Sequence, residues 1–197
     1  MTGSVRRAAA GLIAAACIAS TLSACTPYNA AVGDTQSADD AVAHVMKDCN
    51  SLNVAMVGSQ DVQADRMAMD ALKTGGLKPI YLPVSGTVDA QDTAQQGVKD
   101  MTQRMADIIV IAGIDVSGAN HDGWYETLDA PRQAGIPVVL LDPISVPTDD
   151  TLFAATLKTN DRMTDAKPLA DVVATIANND LHDREIIVST VERKTRE

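Results

Sequence analysis

Ala106-Asp-Ile-Ile-Val-Ile-Ala-Gly-Ile114 decides the fold. Between Asp107 and Gly113 it presents five apolar residues in a row, most of them β-branched, too few for a buried helix. Such a run predicts a strand covered on both faces, as a central strand of a parallel sheet must be. After it, Asp122 to Ala134 has the spacing of a helix, and Ala134-Gly135-Ile136-Pro137 stops that helix sharply. Val138 to Leu141 (VVLL) is then a second two-sided strand, closed by Asp142-Pro143.

Outward from this core the same rhythm repeats. Leu52 to Gly58 predicts a strand, and Asp61 to Thr74 a helix ending at Gly75-Gly76. Pro79 to Val84 predicts a strand whose Pro83 belongs at an edge, and Asp89 to Arg104 a helix with Ala94, Val98, Met101 and Met105 on one face. On the far side, Phe153 to Leu157 reads as a fifth strand, Asp161 to Ala177 as a helix beginning from Asn160, and Glu185 to Val191 as the last strand. Strands separated by helices in this way imply parallel pairing with right-handed crossovers. The fold class is therefore α/β: a three-layer sandwich with a parallel, doubly wound sheet.

Ahead of this domain, Arg6-Arg7, an apolar stretch from Ala8 to Leu22 and Leu22-Ser23-Ala24-Cys25 have the order of a secretory leader. The apolar stretch is too short for a mature membrane span. Leu22-Ser23-Ala24-Cys25 resembles the lipobox of bacterial lipoproteins, which implies cleavage before Cys25 and lipidation of its thiol. Residues 1–24 are then a signal peptide, 25–37 a lipidated tether rich in small and polar residues, and 38–197 the α/β domain. A short helix is expected from Ala38 onward after Ser37. The implied location is the outer face of the cell membrane, with the lipid as the membrane contact.

Composition narrows the partners. The 197 residues carry a formal charge of −10, and no basic cluster interrupts the acidic surface, so nucleic acid is excluded as a partner. Of the three cysteines, Cys17 leaves with the leader and Cys25 is lipidated, so Cys49 has no intramolecular disulfide partner. The mature sequence holds no nucleophile elbow, P-loop, dinucleotide fingerprint, zincin motif or Cys pair, which argues against an enzyme. His121-Asp122 with Asp115 reads as an ordinary polar loop rather than a metal or acid–base cluster. No cofactor and no metal site is expected.

The two runs ADIIVIAGID and QAGIPVVLLD resemble the first lobe of type I periplasmic binding proteins of the ribose and galactose kind, the substrate-binding components of sugar ABC transporters. Thr159-Asn160-Asp161 stands where that family has Ser-Asp-Asn. The resemblance implies a periplasmic-binding-protein-like single lobe, a small sugar-like ligand, and an ABC permease, a second lobe or another protein as partner.

In an open parallel sheet the ligand lies beyond the carboxyl ends of the strands. The candidate ligand residues are accordingly Ser59, Gln60 and Asp61 after the first strand, Asp115 and Ser117 after the third, Asp142 after the fourth, Thr159, Asn160 and Asp161 after the fifth, and Trp124 at the start of the third helix. Each has an alternative use. Asp115 and Asp142 satisfy backbone N–H groups in turns of this kind, and Trp124 packs on its own loop.

Three departures from the family weigh on the sugar reading. The loop after Gly58 carries no aromatic residue, Pro143 replaces an Arg, and Ala112 replaces an Asn. A lipid-anchored interaction or sensor module on the same scaffold is the alternative. Family members have two lobes, whereas this length accommodates about one.

Overall fold

A computed structural model describes residues 47–191 of the chain. The leader, Cys25, the tether and most of the helix expected from Ala38 lie outside the described residues. Of that helix only the end is described, and there Cys49–Ser51 forms a single 3-10 turn.

Seven strands form one sheet: β1 (Val54–Val57), β2 (Ile80–Leu82), β3 (Ile108–Ala112), β4 (Val138–Leu141), β5 (Ala155–Thr159), β6 (Lys167–Pro168) and β7 (Glu185–Ser189). Their order is β2-β1-β3-β4-β5-β7-β6, and every neighbouring pair is parallel. All residues of β1, β3 and β4 are buried, which is why these stretches read as unbroken apolar runs.

Alternate side chains of each strand enter opposite cores. Val54, Met56, Ile108 and Val110 pack with Ala68, Met69 and Leu72 of helix α1 (Val62–Thr74) and with Leu169, Val173 and Ile176 of α4 (Leu169–Ala177). Ala55, Val57, Ile109 and Ile111 pack with Ala94, Val98 and Met101 of α2 (Ala90–Gln103) and with Trp124 and Leu128 of α3 (His121–Ala134). Two helices thus cover each face, and the three layers expected from the alternation are present.

Local chemistry sets the helix ends. Asp61 Oδ1 accepts the N–H groups of Gln63 and Ala64 at 3.0 Å, and Asp89 Oδ1 does the same for Gln91 and Asp92. At the exit of α3, Gly135 takes the left-handed conformation (φ 74°), and Ile136 N–H reaches back to Pro131 O at 2.8 Å.

Two expected boundaries are corrected. The helix does not begin at Asp161: residues 161–166 form turns, Lys167–Pro168 adds the edge strand β6, and α4 starts only at Leu169. Pro168 explains this, because in a helix interior it would lack the N–H that the ladder needs and its ring would clash with the carbonyl four residues earlier. An edge strand tolerates it. The fifth strand runs from Ala155 rather than Phe153, because the Arg184 guanidinium takes the carbonyls of Phe153 and Ala154 at 2.9 and 3.3 Å and holds them out of the ladder.

Candidate functional site

The chain leaves β1 toward β2 through α1, then returns over the opposite face through α2 to enter β3 on the other side of β1. The loops after β1 and β3 therefore diverge, and a crevice opens between them at the carboxyl edge of the sheet. A cavity of about 480 Å³ occupies this crevice. Its floor includes Ile111, Ala112 and Leu141, and its walls come from the first turns of α1, α2 and α3 and the ends of β4, β5 and β7.

The most buried polar group on the wall is Asp65, 2% exposed. Its Oδ2 accepts the N–H of Ser59 at 2.8 Å and the hydroxyl of Tyr81 at 2.7 Å, and its Oδ1 accepts the hydroxyl of Ser59 at 2.9 Å. Burial, followed by the hydrogen bond to Asp65 and the charge of its carboxylate, pushes the Tyr81 phenol up to about 12. Gly58 is required beside this pair: a Cβ there would stand 2.6 Å from both Asp65 Oδ2 and Tyr81 Oη.

Asp142 lies at the end of β4 with φ 45°, a left-handed conformation in which Asp is among the better tolerated residues. Its N–H donates to Leu157 O at 2.8 Å, and its Oδ1 accepts Thr159 N–H at 2.8 Å, so it joins the ends of β4 and β5. Trp124, 1% exposed, donates its indole N–H to Gln91 Oε1 at 2.7 Å and so links the starts of α3 and α2.

Six of the ten sequence-derived ligand candidates meet on this cavity: Ser59, Gln60, Asp61, Trp124, Asp142 and Thr159. The other four stand off its wall. Asp115 Oδ1 accepts the Ser145 hydroxyl at 2.7 Å and Ser117 N–H at 3.0 Å, and these donors, Ser145 foremost, hold its carboxyl below the usual range. Ser117 is the other half of that turn. Asn160 Oδ1 accepts Arg162 N–H at 3.2 Å. Asp161 binds the Thr190 N–H and hydroxyl and the Ser189 hydroxyl; burial raises its carboxyl, but these donors outweigh that and keep it low.

Asp65, Gln91 and Thr190 line the cavity without having been singled out from the sequence. Asp65 had one legible signal, an acid on the inward face of α1 alongside Ala68 and Leu72. Among the described residues no group of three or more His, Cys, Asp or Glu is gathered to hold a metal. His121 stacks on Tyr125 at 4.1 Å between ring centroids and contacts Asp122, outside the cavity.

No protein-family model matches the chain, and no curated protein matches it. Several solved structures are similar in fold. One, from Mycobacterium smegmatis in complex with β-D-fucofuranose, is 18% identical over 55% of this chain and 35% of its own, with a TM-score of 0.47. The periplasmic binding component of the arabinose ABC transporter from Shewanella sp. ANA-3, bound to L-arabinofuranose, is 21% identical over 54% and 34%, with a TM-score of 0.44. A putative pilus assembly-related protein from Burkholderia pseudomallei is 14% identical over 72% of this chain and 99% of its own, with a TM-score of 0.45. The chain spans about a third of the length of the two sugar complexes. Its own strand order, with all neighbours parallel and helices on both faces, is that of a doubly wound three-layer α/β sheet.

Proposed function

We propose that this is an exported lipoprotein, tethered through Cys25 to the outer face of the cell membrane, whose α/β domain binds a small sugar-like solute for an ABC permease. It is a binding protein and not an enzyme. The observation that carries the reading is the cavity at the carboxyl edge between β1 and β3, where six residues drawn from three strand ends and a helix start converge. Thermal unfolding against a panel of pentoses and hexoses, including the furanose sugars named for the similar structures, tests it. A ligand that binds only the folded state raises the midpoint with concentration. If no sugar moves the midpoint, the solute-binding reading is wrong. Metabolic labelling with palmitate, lost in Cys25→Ser, tests the anchor.

A specific feature favours a second reading, an interaction module. Val62, Val88, Ile144, Val146 and Val191 are exposed and all lie in segments that follow strand ends, Ile144 on the cavity itself, so the carboxyl-edge side of the sheet carries an apolar rim. A partner protein or a second lobe would cover that rim. Capping of the cavity by such a partner, with no sugar-dependent shift, is the outcome that selects this reading.

A further inference from the structure

The charge of the cavity is one-sided. Asp61, Asp65 and Asp142 stand on its wall, and no Lys, Arg or His does. Asp65 is buried with hydrogen-bond donors around it but no ion pair among the described residues. Its three hydrogen bonds satisfy the carboxylate but leave its negative charge without a cation beside it. Asp61 and Asp142 each use Oδ1 for backbone N–H groups, and their Oδ2 atoms accept no hydrogen bond among the described residues.

The remainder of the wall sorts the ligand further. Ser59, Gln60, Gln91, Thr159 and Thr190 offer hydroxyl and amide groups, while Trp124, Met67 and Ile144 supply apolar surface. An anion entering here would meet three like charges and no compensating donor of full charge. An alcohol would find hydrogen bonds but leave the field unanswered. An ammonium group answers it.

We infer that the solute is a small hydroxylated amine, such as an amino sugar, and that the cavity rejects sugar acids and sugar phosphates. This rests on the solute-binding reading above and adds the sign of the ligand's charge. The ammonium sits toward Asp142 and Asp61, with Asp65 behind them as fixed negative charge that the Tyr81 and Ser59 hydroxyls hold in place. Hydroxyl groups of the ligand meet Thr159, Thr190 and the two glutamines.

Calorimetric titration of the full chain with matched triplets tests the inference: galactosamine, galactose and galacturonate, and the same three forms of glucose. The expected result is an amine bound at least about tenfold more tightly than its neutral parent, with no binding of the acid. Asp142→Asn keeps an acceptor oxygen for Thr159 N–H and suits the left-handed backbone at this position, so the fold is retained. That variant, and separately Asp61→Asn, should lower amine affinity about tenfold and lower neutral-sugar affinity by clearly less, so that the amine's advantage over its neutral parent shrinks. Neutral sugar bound as tightly as the amine, or acid bound at all, overturns the inference and leaves the solute-binding reading standing. Equal weakening of amine and neutral sugar in both variants also overturns it. Failure of every triplet together with every sugar in the thermal panel overturns both readings.

Discussion

The Tyr81 hydroxyl donates to Asp65 Oδ2 at 2.7 Å, joining the edge strand β2 to the first turn of α1 behind the cavity wall. Removing this donor leaves a buried carboxylate short of a partner. Tyr81→Phe should destabilise the domain by about 1.5 kcal/mol, the low end for a bond to a charged acceptor because Tyr81 is half-buried. The phenol also gives a pH signature. Its value rises from 10.0 to about 12 in the fold, so the stabilisation is fully present below pH 10 and is lost as pH climbs through about 12. The stability difference between the parent chain and Tyr81→Phe should therefore be constant below pH 10 and shrink above it, as chemical unfolding followed by circular dichroism would show.

Gly58 is the position where added volume has nowhere to go. Its Cβ would lie 2.6 Å from Asp65 Oδ2 and Tyr81 Oη and 2.8 Å from Tyr81 Cε2. Asp65 is held by three donors and cannot retreat. Gly58→Ala should cost about 2 kcal/mol through overpacking, read as a lowered midpoint of thermal unfolding. Added to Tyr81→Phe, it should cost less than the sum of the two, since the missing hydroxyl opens part of the space.

How far the sequence alone leads is visible in particular residues. Val138 to Leu141 is a strand with the expected ends because its four side chains are buried between two helical layers, so apolarity alone marks it. Asp61 and Asp89 mark helix starts because capping is a contact with the next three residues and is therefore local. Asp161 carries the same local signal as those caps, but its carboxylate is bound by Ser189 and Thr190, nearly thirty residues on, and Pro168 bars the helix in between. The site divides along the same line. Ser59, Asp61 and Asp142 follow strands and were legible from position. Asp65 and Gln91 reach the cavity from helices, and only the parallel register, Met56 beside Tyr81 and Val110, brings Tyr81 over α1 to meet Asp65. The exposed apolar residues Val62, Val88 and Ile144 carry no signal in the sequence, since exposure is a property of the assembled surface.

Asp161 ties the turn after β5 to the end of β7 through Thr190 N–H at 2.6 Å, Thr190 Oγ1 at 2.8 Å and Ser189 Oγ at 3.0 Å. Asp161→Ala removes all three and should destabilise by about 2 kcal/mol. Because its folded carboxyl is held below 3.8, the contribution is present above that pH and is lost as pH falls further. Acid unfolding of the parent chain should therefore steepen below pH 3.8, and Asp161→Ala should lack that part of the slope. The variant bears on the site as well, since Thr190 lines the cavity: amine or sugar affinity should fall modestly while Asp142 and Trp124 stay in place.

Trp124 makes the cavity report on itself. It is the single Trp of the chain, 1% exposed, on the cavity wall, with its indole N–H engaged by Gln91. A solute seated against this wall changes the polarity around the ring, so emission should shift or quench on titration and saturate at the calorimetric midpoint. Gln91→Ala should change the unliganded emission by freeing the indole N–H, and should weaken binding if Gln91 also meets the solute. A solute that binds by calorimetry without altering Trp124 emission would have to sit elsewhere. The candidates are then the outer turn of Asp115 and Ser117 or the shallow groove between Tyr81 and Lys99 on the β2 edge. That result would move the site off the crevice between β1 and β3, and with it the argument from Asp61, Asp65 and Asp142 for a positively charged ligand.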